Sequence, residues 1–166
     1  MHRLPPLDGL MWALSAVGRG GLIWLAVGMS LAIARRYPWR ALIPLALAVL
    51  LTTLVADRLL KPLVARERPF VRTPEIVVIG GRPLDRSFPS GHAANSFAGA
   101  VVLSRLAPSG QAVWWALAIL IAYSRVYLGV HYPLDVVGGA IVGVICAAIT
   151  LRLRPWRLRP PTRPDA

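Results

Sequence analysis

Residues 123–151 read YSRVYLGVHYPLDVVGGAIVGVICAAITL. The second part, Pro133 to Leu151, is an apolar run close to the roughly 20 residues a helix needs to cross a bilayer. Its Gly139 and Gly143 form a GxxxG face against which another helix can pack closely. The first part places Arg125, His131 and Asp135 in a chain that is otherwise mostly apolar. Pro133 fits the first turn of a helix, so His131 and Asp135, four residues apart, fall near one helix start and can touch. A carboxylate on one imidazole nitrogen fixes the tautomer and leaves the other nitrogen free to attack. Arg125 supplies a planar fork suited to phosphate oxygens.

Four more apolar runs precede this one, at about 16–34, 39–60, 90–106 and 112–126. The chain has 166 residues, 56% of them apolar, and a mean hydropathy of +0.58. That is too apolar for an ordinary soluble domain, and the length suits one domain. In residues 5–18, Leu7, Leu10, Met11, Leu14 and Val17 recur at helical spacing, but the run is too short to cross a bilayer. It reads as a helix lying in the interface with Trp12 as anchor. The expected fold is all-α: an integral membrane helical bundle of five transmembrane helices plus an N-terminal interfacial helix, six helices in total. The membrane-embedded domain is expected over 1–155. Residues 156–166 form a basic, proline-rich tail, expected to be disordered and drawn to anionic headgroups. The 61–89 connection is the one sizeable polar loop, and its EIVVIGGRP stretch (75–83) suggests a short hairpin over the site.

The net charge is +12, nearly all of it arginine at the ends of apolar runs. No basic stripe is interleaved with exposed aromatics, which argues against nucleic acid. Basic ends beside apolar runs are what membrane insertion produces. The single cysteine, Cys146, lies inside an apolar run, which rules out an intrachain disulfide and a thiolate zinc site. The start, MHRLPPLDGL, lacks a signal-peptide pattern.

Five spans put Lys61, Arg68, Ser90, His92, Arg125, His131 and Asp135 at one membrane face. Arg35, Arg36, Arg40, Arg105 and the tail arginines fall at the other, with Trp39, Trp114 and Trp115. The site face also carries ten basic residues, so raw counts nearly tie, and it is the short flanks that favour the tail side as cytoplasmic. The site is therefore expected on the outer face of a multi-pass plasma-membrane protein.

Two further clusters share that face. In KPLVARERP (61–69), Lys61 and Arg68 can point into one cavity from a helix end and the following turn. Read alone, the stretch is also an ordinary positive membrane flank. In PSGH (89–92), Ser90 suits a helix cap, Gly91 lets a ligand approach the backbone, and the first amides of the helix suit an anion. Read alone, it is also a capped helix with an incidental His92. His131 and Asp135 could instead be a metal pair, but metal sites usually take three or more ligands. The surrounding lysine and arginines repel a metal and attract an anion. No metal and no cofactor are expected. Together the clusters suit metal-free phosphoryl transfer. His131 attacks phosphorus, His92 protonates the leaving oxygen and then accepts a proton from water, and the cations hold the spreading charge.

In this order, Lys-x6-Arg-Pro, Pro-Ser-Gly-His and Ser-Arg-x5-His-x3-Asp resemble the three signature motifs of the type 2 phosphatidic acid phosphatase (lipid phosphate phosphatase) family. The motifs cover residues 61 to 135 and match at every key position. The resemblance implies a six-helix membrane core and a metal-independent phosphatase, with His131 as nucleophile, Asp135 as its partner and His92 as acid and base. It implies phosphate contacts from Lys61, Arg68, Ser90, Gly91 and Arg125. The expected substrate is a lipid phosphate or diphosphate. A polyprenyl diphosphate such as undecaprenyl diphosphate ranks first, with phosphatidic acid or phosphatidylglycerol phosphate next. Membrane lipids are the other expected partners, and no feature fixes an oligomeric state. Vanadate-dependent haloperoxidases resemble this site too, but they are soluble and the apolar runs argue against them. A catalytically idle protein that binds or moves a phospholipid is the alternative from another class. The presence of His131, His92 and Arg125 argues against it.

Overall fold

A computed structural model describes residues 5–153, so the expected 156–166 tail lies outside the described residues. Every regular element among them is helical. The chain opens with α1 (Pro5–Val17), a 3-10 turn (Arg19–Gly21) and α2 (Leu22–Ile33). Next, α3 (Leu42–Thr53) runs through a π-helical segment (Leu54–Leu60) into α4 (Lys61–Val64). A single turn, α5 (Pro69–Arg72), precedes the loop, which leads into α6 (Gly91–Leu106), α7 (Gln111–Tyr127) and α8 (Pro133–Arg152).

Trp39–Arg72 and Pro133–Arg152 are long and apolar enough to cross a membrane, with mean hydropathies of 1.9 and 2.2. A third candidate arises if α1 and Arg19–Ile33, bent by 48° at their junction, count as one span. The described residues thus hold at least two candidate spans. The helices α6 and α7, with 16 and 17 residues, fall just below and at the lower limit of the spanning range, roughly 17 residues. The run expected to start at Ala16 is interrupted. Gly20 and Gly21 take φ of +61 and +72, a conformation only glycine adopts without strain, and α2 begins after them.

The hairpin expected over 75–83 is not formed, and those residues run as turns and bends. Ile79 donates its N–H to the Leu128 carbonyl at 3.2 Å rather than to a partner strand. Gly80, at φ +85, lies against the Trp12 indole, and Pro83 has no N–H to give a ladder. The segment therefore lies over α1 and the end of α7.

Helix α6 is central, packing on α8, α7, α3 and α2. Its small residues fit the two glycines of α8. A Cβ at Gly139 would stand 2.4 Å from the Ser90 carbonyl oxygen, and one at Gly143 would stand 2.1 Å from that of Ala94. On another face Gly99 admits the fully buried Trp24. The core around it is built from Leu45, Ala48, Leu103 and Ile121.

Candidate active site

Pro133 opens α8, which puts Asp135 in its first turn, where the helix dipole favours a carboxylate. Asp135 is fully buried and held on all sides. Its Oδ2 accepts from the Tyr132 N–H at 2.9 Å and from Ser87 Oγ. Its Oδ1 pairs with Arg66 Nη1 at 2.8 Å. The Arg66 guanidinium also lies over the Tyr132 ring, 4.1 Å from its centre. The Asp135 carbonyl accepts from the Ser90 N–H at 2.9 Å, which joins the starts of α8 and α6.

His131 reaches this group by a tight turn. Gly129, at φ +73, ends α7, and the N–H groups of Val130 and His131 both return to the Arg125 carbonyl at 3.3 Å. The Nδ1 of His131 stands 3.6 Å from Asp135 Oδ2, nearer than random but beyond a formed hydrogen bond. On the other side, Arg68 Nη1 lies 3.3 Å from Nε2. A donor at Nε2 and a carboxylate at Nδ1 favour the neutral tautomer with its proton on Nδ1. Burial pushes the His131 pKa down to about 4, and Arg68 and Arg125 add to this against the pull of Asp135.

Arg68 is almost fully buried and spends its donors on Val130 O (2.7 Å), Asp85 O (2.8 Å) and Asp85 Oδ1 (2.7 Å). Lys61 pairs with Asp57 one turn back at 2.5 Å, and with Asp85 Oδ2. One carboxylate in the loop thus bridges the two cations that the sequence assigns to phosphate. Burial alone would raise the Asp85 pKa, but Lys61 and Arg68 outweigh it and bring it down to about 2.

Ser90 caps α6, accepting the Ala93 N–H at 3.5 Å, and Gly91 lies so near Asp57 that a Cβ would come within 2.9 Å of its Oδ1. His92 and the buried Arg125 line a cavity of about 320 Å³ under α1, where Arg125 donates to Ser15 Oγ. A second groove of about 760 Å³ is lined by His131 together with Tyr123 and Tyr132, with Asp8 and Glu75 in its wall. Among the described residues no three His, Cys, Asp or Glu side chains stand together as a metal-ligand group.

The structure therefore gathers all eight sequence-derived residues at one end of the bundle. Lys61, Arg68, His131 and Asp135 form a continuous polar network with Asp85 and Arg66. Ser90 and Gly91 join it through α8 and Asp57, and His92 and Arg125 sit in the adjoining cavity. Sequence reasoning missed Arg66, Ser87, Asp85 and Ser15. Arg66 lies two residues before Arg68 in the same basic run and was the one within reach of a spacing argument. Ser87 and Asp85 lie in a loop without periodicity.

A family model described as the PAP2 superfamily matches residues 38–159. The chain belongs to this superfamily. Within it, the chain is 36% identical over 146 residues to an undecaprenyl-diphosphatase of Sulfolobus acidocaldarius, covering 86% of this chain and 68% of that protein. It is 35% identical over 142 residues to a lipid A 4'-phosphatase of Bacteroides thetaiotaomicron, covering 75% and 61%. The chain thus spans about two thirds of the length of these PAP2 relatives. Among solved structures, Aquifex aeolicus LpxE superposes with a TM-score of 0.75 at 34% identity, covering 90% of this chain and 88% of that one. A PAP2-type phosphatidylglycerolphosphate phosphatase from Bacillus subtilis gives 0.71 at 24% identity, covering 93% and 82%, and shares the fold.

Proposed function

We propose that this chain, a lipid phosphatase by family and by site, hydrolyses a lipid phosphate or diphosphate without a metal, through a phosphohistidine on His131. A polyprenyl diphosphate is the first choice of substrate, ahead of phosphatidic acid and phosphatidylglycerol phosphate. Two phosphatases of different lipids among its relatives support the class. The observation that carries the mechanism is the meeting of a buried histidine with a cation at its Nε2, in a network that holds a second cation. Arg68 lies 3.3 Å from His131 Nε2, and its guanidinium and Lys61 both hold one carboxylate.

In this reading the phosphate takes the place of the Asp85 carboxylate between Lys61 and Arg68, with the first amides of α6 and Arg125 on its remaining oxygens. His131 Nε2 attacks phosphorus, and Asp135 stabilises the cationic ring that forms. His92 gives a proton to the leaving oxygen and later takes one from the attacking water. We further place the site on the outer face of the plasma membrane, in a bundle of five spans. The arginines at the opposite end of the helices support that orientation.

The test is phosphate release from detergent-solubilised farnesyl diphosphate, phosphatidic acid and phosphatidylglycerol phosphate. Release that persists in EDTA and is inhibited by vanadate, which mimics five-coordinate phosphorus, is the expected result. Loss of activity on chelation, or full activity in His131→Ala, overturns the mechanism.

A further inference from the structure

The two cavities at this end of the bundle differ in charge. The groove on the His131 side carries Asp8 and Glu75. The cavity on the His92 side carries Arg19 and Arg82 in addition to Arg125. Arg125 is buried and donates to Ser15, whereas Arg19 and Arg82 are exposed at the cavity wall. Neither belongs to the motifs that organise the site. Arg19 sits in the 3-10 turn between α1 and α2, and Arg82 sits in the loop that crosses α1. Two separate elements thus bring cations to one small cavity, and the proton donor assigned to the leaving oxygen is in its wall.

In-line displacement, with the assigned proton donor, constrains where the leaving group goes. The attacking and leaving atoms lie on opposite sides of phosphorus. With His131 attacking and His92 as the proton donor, the leaving oxygen faces His92 and the cavity it lines. A neutral leaving group, such as the glycerol hydroxyl released from phosphatidic acid, gains nothing from two more arginines there. A leaving group that is itself a phosphate does.

We infer that Arg19 and Arg82 form a second anion subsite that holds the phosphate retained by the lipid, which makes the site selective for lipid diphosphates over monophosphates. The inference rests on the phosphatase reading given above. The terminal phosphorus bonds to His131 Nε2 while its bond to the bridging oxygen breaks. The bridging oxygen leaves with the lipid as a monophosphate, held by Arg19 and Arg82, and takes its proton from His92. Water then attacks the phosphohistidine and gives a proton to His92. The P–N bond breaks, and inorganic phosphate and neutral His131 are released.

The experiment compares kcat/KM for farnesyl diphosphate and farnesyl monophosphate in the full chain, for wild type and the Arg19→Gln/Arg82→Gln double variant. The diphosphate-to-monophosphate ratio should exceed one in wild type and fall about tenfold or more in the double variant, the scale of a charged hydrogen bond. Arg82→Glu should lower it further, and an Arg19→Lys/Arg82→Lys variant should keep most of it. Arg105→Gln, at the opposite end of α6, should leave it unchanged. Equal loss on both substrates, or an unchanged ratio, overturns the subsite. So does a wild-type enzyme that cleaves only the monophosphate, although the phosphatase reading then survives. A wild type inactive on both farnesyl substrates and on phosphatidic acid and phosphatidylglycerol phosphate overturns the phosphatase reading itself.

Discussion

The two halves of the site are built differently. Around His131, the supporting groups are ones that a substrate never replaces: Asp135 is fully buried and fixed by Tyr132, Ser87 and Arg66. Around Lys61 and Arg68, the carboxylate the two cations share is Asp85, a loop residue whose side chain is half exposed, while Lys61 also pairs with Asp57. The first half rests on a paired and buried carboxylate, and in the second the shared counter-charge is the group that, in the proposed mechanism, an incoming anion displaces. The contrast shows how a buried cationic pocket stays stable with no anion bound. Unpaired buried charges cost several kcal/mol each, and here a loop carboxylate supplies much of the counter-charge.

The largest expected effect comes from the fixed half. His131→Ala should lower kcat by about 10⁴-fold or more in a phosphate-release assay, with no comparable loss of folded protein in detergent. Arg66→Ala, which removes the partner of Asp135 Oδ1 and uncovers Tyr132, should cost roughly 100-fold in kcat with little change in KM, since small misplacements of a reacting group are that expensive. Arg66→Lys should recover part of it if charge rather than the fork matters.

A pH profile sharpens the same contrast. His131 is neutral above its pKa of about 4, so log kcat/KM should be insensitive to its titration at neutral pH. It should fall about tenfold per unit once pH drops below about 4. The group also holds its proton less firmly when folded than the ordinary value of 6.5 allows. Its contribution to stability therefore declines as pH falls from 6.5 toward 4, because the unfolded chain binds the proton first. Asp85 behaves in the opposite way. With its pKa brought down to about 2, it contributes stability above about 3.8 that disappears as pH falls toward 2. The smallest effect belongs to the displaceable half. Asp85→Asn removes an internal competitor, so KM for the lipid and the inhibition constant for vanadate should both drop a few-fold, roughly three to ten. A rise in either would show that Asp85 positions the cations rather than competing for them.

The apolar runs and their glycines made much of the fold legible, because membrane helices must satisfy their own backbone and announce themselves by composition. The α6–α8 contact follows from AANSFAGA (93–100) meeting Gly139 and Gly143. The residues that came together at one end were legible as three spaced motifs, each anchored at a helix start where Pro, Ser or Gly has a defined use. The 73–89 loop was not legible. A hydrophobic stretch such as Ile76–Ile79 reads as a strand by composition, but packing against Trp12 and Leu128 decided its course. The role of Asp85 was hidden for the same reason, since a lone acid in an aperiodic loop carries no spacing signal.

The glycine seam between α6 and α8 also limits how this protein can change over time. Ser90 and Asp135 are held in register across a contact that admits no added methyl at Gly139 or Gly143. That pair of helices behaves as a keel that cannot be reshaped without moving the reactive groups. In the proposed reading, a change of lipid preference falls to α1 and the loop that rests on it, elements outside this seam, which leaves the chemistry inherited and the taste for substrate free to drift.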